Sequence, residues 1–416
     1  MEDLSAFIKS RGKQPEEGEG RHVLMIQDTT ELNYNNLNGL LKVNDPDIGP
    51  ISDNKSTGIL LHPSLAVDAL SGIPYGISSI QVWNRPFAGE NKNERGYQNL
   101  PIEEKESNKW LVAAQQGKEW LNGGNSITLV GDRENDIYEY FALVPDERTD
   151  VLVRSSWNRR LASGRLLTEE LEGIDWDSDF DLEIKGNQKR TARKARMRIK
   201  WAGIGLARPE NKDKVLYPKA MKIAVVEVLE DPQTVPQGES PVCWRLFTTH
   251  SVESLEQAMQ IVEWYKWRWW IEDFFRVLKT QGLEIERSQL STGASLKKLV
   301  VLCLEQALKI LMMRQERQGK AAYHADICFE QEEIAFLEVL HAEQQARIKR
   351  QNPHQPRSLA WAAWIITVLA GWTPADLAKR PPGVVTLSRG LKIFIQRYLG
   401  WETAMMHFQQ INKDRP

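Results

Sequence analysis

Two short apolar runs, each closed by an aspartate, limit what this chain can fold into. His22-Val23-Leu24-Met25-Ile26 leads into Gln27-Asp28-Thr29-Thr30, and Ile127-Thr128-Leu129-Val130 leads into Gly131-Asp132-Arg133-Glu134. A continuous apolar run of this kind reads as a buried strand. Each run therefore sets an acidic residue at or just past a strand's carboxyl end, where ligands gather in open α/β sheets. The expected fold class is α/β.

A third segment supplies more chemistry. Tyr265-Lys266-Trp267-Arg268-Trp269-Trp270-Ile271-Glu272 continues to Lys279 within a helix expected from Val252 to Gln281. At about 100° per residue, Tyr265, Arg268, Glu272 and Lys279 fall within roughly 60° of one another. One stripe thus carries a phenol, a guanidinium, a carboxylate and an ammonium. A carboxylate between cations and a phenol suits a metal ion held beside a phosphate.

Between these landmarks the chain changes texture. Residues 1–20 read as a polar arm with no apolar period. Residues 35–57 read as loop; Gly58–Val67 and Ile73–Trp83 read as further, mostly antiparallel strands. Glu103–Leu121 reads as a helix, and helical periodicity returns at Ile137. Residues 150–250 hold short alternating runs and read as a β-rich insertion within a core spanning 21–290. Inside it lie Lys185, Lys189, Arg190, Arg193, Lys194, Arg196, Arg198 and Lys200. Arg196, Arg198 and Lys200 alternate with Met197, Ile199 and Trp201, which predicts a strand with a basic and an apolar face. Residues 291–416 read as all-helical, with helices near 296–314, 332–348, 358–369 and 387–410. Pro374–Gly383 sets the last of them apart.

The formal net charge is -2, from 54 basic and 56 acidic residues. Bulk charge therefore argues for no nucleic-acid partner, and any such binding must come from local clustering. Cys243, Cys303 and Cys328 are scattered, which fits a reducing cytoplasm rather than a disulfide framework. The opening residues lack the pattern of a signal peptide. The longest apolar stretch, Leu359–Trp372, is too short to span a bilayer, so no membrane partner is expected.

Asp28, Asp132 and Glu272 can converge where the signature helix crosses the sheet. Three carboxylates repel unless a cation neutralises them. Magnesium prefers such oxygen ligands and leaves positions for phosphate and water. Two ions about 3.5–4 Å apart can serve both the attacking and the departing oxygen in phosphoryl transfer. Blander readings stand beside this one. An aspartate between strand and helix is often a cap or turn residue. Arg268 and Glu272 have the spacing of a solvated i,i+4 pair. Lys279 alone reads as a surface lysine, and a basic cluster alone as a solvated face.

The segments together resemble the bacterial insertion-sequence DDE transposases with a Tyr-Arg-Glu-Lys signature, the Tn-five cut-and-paste type. Tyr265, Arg268, Glu272 and Lys279 have the full Y-x2-R-x3-E-x6-K spacing. Gln27-Asp28-Thr29-Thr30 and Gly131-Asp132-Arg133-Glu134 resemble the family's two other acidic motifs. Glu104–Trp110 and Val252-Glu253-Ser254-Leu255 resemble further family segments. The resemblance runs over nearly all of residues 22–416, in the same order. It implies an RNase H-like core interrupted by a β-rich insertion. It also implies Asp28, Asp132 and Glu272 as ligands of magnesium (manganese as substitute), with two ions per site. Tyr265, Arg268, Lys279 and Arg276 would contact DNA phosphates, and Arg196, Arg198 and Lys200 of the basic cluster are expected to do the same. Trp244 would receive a base displaced when a DNA hairpin forms, and Arg154 would be a further DNA contact; a strand-core role for Trp244 stays open.

The implied chemistry is cleavage at transposon ends, hairpin formation and strand transfer into target DNA. The implied partners are double-stranded DNA and a second copy of the chain; Leu391, Ile393, Phe394, Tyr398, Leu399 and Trp401 read equally as dimer contacts or as ordinary core. The implied location is cytoplasmic, on the nucleoid when DNA is bound. Family members carry a helical DNA-binding domain ahead of the first aspartate, whereas 27 residues precede Asp28. The expectation is therefore a short form. A non-catalytic regulator acting by dimerisation and a general RNase H-type nuclease are the alternatives.

Overall fold

The computed structural model describes residues 20–413 except 38, 43–44, 53–54, 88–99, 122–124, 185, 187–189, 348–349 and 374–380. The expected polar arm, Lys185, Lys189 and most of the Pro374–Gly383 separator lie outside the described residues.

The chain is a mixed α/β protein built on one large sheet. Its strands are β1 (His22–Gln27), β2 (Thr30–Asn33), β3 (Gly49–Pro50), β4 (Thr57–Asp68), β5 (Pro74–Trp83), β6 (Ser126–Gly131), β7 (Thr149–Arg154), β8 (Ser178–Ile184), β9 (Arg193–Ala207), β10 (Ala220–Glu230) and β11 (Cys243–Thr248). The order runs β2-β4-β1-β6-β7-β11-β10-β9-β8, and β3 and β5 also pair with β4. β1, β6 and β7 are mutually parallel; β4, β5 and the four strands after β7 pair antiparallel. The Thr149–Arg154 run, expected to open the insertion, is thus a core strand parallel to β6. Strands β8–β11, from the region expected to be an insertion, extend the same sheet beyond β7.

The apolar runs behave as their composition demands. Leu24, Met25 and Ile26 of β1 and Leu129 and Val130 of β6 have no exposed surface. β1 and β2 lie end to end beside β4, pairing Gln27 with Ser64 and Thr30 with Leu61. That register sets Asp28 opposite Pro63. Proline has no N–H to give to a ladder, so the pairing opens at this point. The free Thr29 N–H is taken up locally by Asp28 Oδ1 at 2.7 Å.

Helix α1 (Asn108–Trp120) lies on the sheet and buries Trp110 and Trp120. The short helices α2 (Tyr138–Leu143) and α3 (Leu167–Glu172) follow β6 and β7. The expected 252–281 helix is two segments, α4 (Leu255–Trp267) and α5 (Trp269–Lys279), which meet at Arg268. Arg268 keeps helical dihedrals, but its N–H donates to Tyr265 O and its carbonyl accepts from Ile271 N, three residues on each side. Ser254 Oγ caps α4 by accepting from Gln257 N.

Two tryptophans pin this pair of helices to the turn between β4 and β5. Trp264 Nε1 donates to Ala69 O at 3.0 Å, and Trp270 Nε1 to Gly72 O at 2.9 Å. Gly72 has φ of +72°, and a Cβ there would lie 2.7 Å from the Trp267 ring. Both the conformation and the space therefore call for glycine.

The remaining helices are α6 (Gly293–Glu316), α7 (Gln331–Arg347), α8 (Leu359–Leu369) and α9 (Val384–Lys413), close to the expected bounds. Leu391 and Phe394 are buried within this chain, and Phe394 stacks on Tyr398. These two therefore serve the chain's own core rather than an external contact. Leu399 is exposed. Among the described residues no helix is long and apolar enough to cross a membrane, and Cys243, Cys303 and Cys328 are free thiols.

Candidate active site

Adjacency of β1 and β6 decides where the two aspartates go. These parallel strands pair Ile26 with Val130, so two residues further on Asp28 and Asp132 leave the sheet side by side at its carboxyl edge. Asp132 caps the short turn that follows β6, its Oδ1 accepting from Glu134 N at 2.9 Å. The cap reading of Asp132 is therefore true of one of its oxygens.

Burial raises the Asp28 carboxyl to about 7, and the Asp132 charge pushes the same way; Arg268 and the Thr29 N–H oppose them. A carboxyl with this much uncompensated charge around it is a site that a cation would stabilise.

Glu272 arrives on α5. Arg268 stands between it and Asp28: Nη1 donates to Asp28 Oδ2 at 3.1 Å and Nη2 to Glu272 Oε1 at 2.6 Å. Burial works against the guanidinium charge, but Tyr265, Asp28 and Glu272 outweigh it and raise its pKa. The arginine thus holds two acids that repel each other. Among the described residues no three acidic, histidine or cysteine side chains close on a single ion. The donor chemistry nevertheless fits a hard divalent cation. Asp28, Asp132 and Glu272 supply carboxylate oxygens, and burial, with Asp132 beside it, disfavours the charged form of Asp28 until a cation compensates it.

Residues 111–304 match the transposase DDE domain. The matched stretch contains Asp132 and Glu272, and Asp28 precedes it. A piggyBac transposase, solved by cryo-EM as a synaptic complex with hairpin DNA, aligns with 72% of this chain at 8% identity and a TM-score of 0.32. The alignment covers 48% of that transposase's length.

The other signature residues divide by environment. Lys279 Nζ donates to Glu31 O at 2.6 Å, which ties α5 to β2 just beyond Asp28. Tyr265 is buried, and its ring meets Trp244 edge-on with centroids 5.4 Å apart. Trp244 is half-buried on β11, and Arg154 at the end of β7 donates to Cys243 O at 2.8 Å. Burial pushes the Arg154 pKa down and Tyr265 pulls it back, while Arg133 adds like-charge repulsion. Trp244, Arg154 and Tyr265 therefore meet beside Asp132, although they come from three separate elements.

Four expected phosphate contacts sit differently. Arg276 Nη1 donates to Asp273, which is fully buried and also pairs with Arg314 of α6 at 2.6 Å. Its charge is directed at an internal carboxylate. Lys200 is 5% exposed; its ammonium donates to Leu171 O at 2.6 Å and sits over the Trp176 ring. Arg198 lies over the same ring, and Arg196 pairs with Asp179 at 2.6 Å. β8 supplies the counter-charge, since Asp179, Asp181 and Glu183 lie opposite Arg198, Arg196 and Lys194. The basic strand thus faces carboxylates across its ladder, with Lys194 and Arg196 exposed and Lys200 turned inward. Arg133, exposed beside Arg154, is the cation that sequence reasoning passed over. Its place directly after Asp132 was the available signal.

Proposed function

We propose that this chain is a metal-dependent DNA transposase that cuts and joins strands at transposon ends. The observation that carries the reading is that Asp28 and Asp132 leave adjacent parallel strands at one sheet edge while Arg268 links Asp28 to Glu272. The match of residues 111–304 to the transposase DDE domain supports it. The strand order β5-β4-β1-β6-β7, with its first three strands antiparallel and its last three parallel, supports an RNase H-like core.

Asp28, Asp132 and Glu272 would hold magnesium or manganese, which when bound supplies an activated oxygen nucleophile and charge neutralisation for phosphoryl transfer. Arg268 keeps Asp28 and Glu272 apart from solvent cations and from each other until a phosphate offers it a better partner. A guanidinium forks as readily to phosphate as to carboxylate. Lys279 fixes the far end of α5, so Glu272 keeps its position as Arg268 changes partner. Tyr265 and Arg154 brace Trp244, which is shaped to receive a base when the cleaved strand folds back into a hairpin. Two copies would act on paired ends.

The test uses the purified chain, magnesium or manganese, and duplex oligonucleotides carrying the repeats that flank its gene. Nicking and strand transfer that disappear in Asp132→Ala are the expected result. Degradation of any duplex or RNA–DNA hybrid would instead favour a general nuclease. No cleavage in any divalent metal would favour a non-catalytic regulator.

A further inference from the structure

Trp157 stands out from every other tryptophan of the chain: it is 70% exposed. It lies three residues past β7. Because β6 and β7 are parallel and pair Gly131 with Val153, it emerges at the same sheet edge as Asp132.

The backbone that carries it is held from both sides. Ser155 N donates to Arg245 O at 2.7 Å, and Ser156 N to Asp136 Oδ2 at 2.7 Å. Ser156 Oγ donates to Arg133 O at 3.1 Å, and Arg159 pairs with Asp136 at 2.6 Å. Asp136, itself buried, belongs to the turn that Asp132 begins. The loop bearing Trp157 and the turn bearing Asp132 are thus fastened together at several points. The backbone that carries the indole is thus ordered before any ligand arrives.

The surroundings select that ligand. The β6–β7 register sets Arg154 beside Asp132, next to Arg133, and Ser156 Oγ joins the loop to the Arg133 carbonyl. Aromatic faces next to unneutralised cations are the usual surface for single-stranded nucleic acid, because every base has a π-face and every linkage a charge. We propose that Trp157 stacks on an unpaired base of the DNA strand bound at the Asp132 edge, with Arg133 on the adjoining phosphate. This role is separate from that of Trp244, which lies against Tyr265. It rests on the transposase reading and names a second base-contact point for it.

The experiment places the fluorescent base 2-aminopurine at each unpaired position of a frayed end duplex and titrates the full chain in calcium. The wild type is expected to quench one position strongly. Trp157→Ala should abolish that quench and weaken binding by about tenfold, while Trp157→Phe keeps most of both. Strand transfer by the same variants is measured in magnesium in parallel. Unchanged quenching and affinity in Trp157→Ala would overturn the proposal. So would a change of oligomeric state on sedimentation with DNA binding unaltered, which would make Trp157 a contact between proteins. A wild type that binds and joins no DNA at all would remove the transposase reading and this inference with it.

Discussion

Arg268 donates to Asp28 across 3.1 Å from a position 240 residues further along the chain. The same guanidinium holds Glu272, so two of the three acids of the candidate site share one internal cation. Removing it should act in two opposite ways. Arg268→Ala is expected to lose about 3 kcal/mol of folding stability, because a mostly buried carboxylate loses its partner. The same variant should bind manganese more tightly than the wild type in the absence of DNA. Urea titration reads the first effect and calorimetry the second. Equal manganese affinity in both proteins would show that Arg268 does not compete for these acids.

A second ion cluster fixes the helix that bears Glu272. Asp273 is buried between Arg276 on its own helix and Arg314 of α6. Asp273→Asn should cost about 3–5 kcal/mol, since two arginines lose their counter-charge. Denaturant unfolding measures it. A loss below about 1 kcal/mol would mean that solvent serves these arginines as well as Asp273 does.

Packing between the last two described helices leaves a close approach at Gly390. A Cβ there would lie 1.9 Å from the Ile366 carbonyl oxygen, a backbone atom that cannot step aside alone. Gly390→Ala should therefore lower stability by about 3 kcal/mol, although alanine favours a helix. An unchanged melting temperature would count against this packing.

Acid should loosen the sheet edge remote from Asp28. His22 shares Thr128 Oγ with His250, each at 2.7 Å, and packs edge-on against Trp264. Burial, then the neighbouring His250, lower the His22 pKa to about 4, while Asp150 and Asp68 oppose them. The unfolded chain keeps the ordinary value near 6.5, so it binds more protons than the fold between about 4 and 6.5. This contribution is intact above about 6.5 and is lost as pH falls through that window. Urea midpoints between pH 4 and 7 should slope less steeply in His22→Gln; an equal slope would clear His22 of the effect.

The basic strand gives a negative expectation. Arg196 and Lys194 already answer β8 carboxylates, so changing both to alanine should leave the salt dependence of DNA binding within about one unit of slope. A drop of about 0.9 per residue would restore them as phosphate contacts.

How much of this was legible beforehand varied with the kind of signal. β1 and β6 could be read because burial on both faces leaves only apolar side chains. In β8 Asp179, Asp181 and Glu183 alternate with Phe180, Leu182 and Ile184, and the exposed acidic face leaves no continuous apolar run to mark the strand. The fate of Lys200 was hidden: a lysine whose ammonium finds two carbonyls and a ring reads the same in sequence as one that faces solvent. The Asp28–Arg268 contact was hidden too, because it depends on where α4 gives way to α5. Spacing allowed Arg268 a bond to Glu272 and said nothing of its second hand.

The inserted strands have a mechanical consequence. β11 pairs with β7, and β7 with β6, so Trp244 and Asp132 ride on one continuous hydrogen-bonded plate. An insertion attached by flexible linkers could swing towards a strand end; this one is laminated to its neighbours. The distance between Trp244 and the candidate acids is thus set by the sheet, and under the proposed function it is the DNA that would have to bend to it.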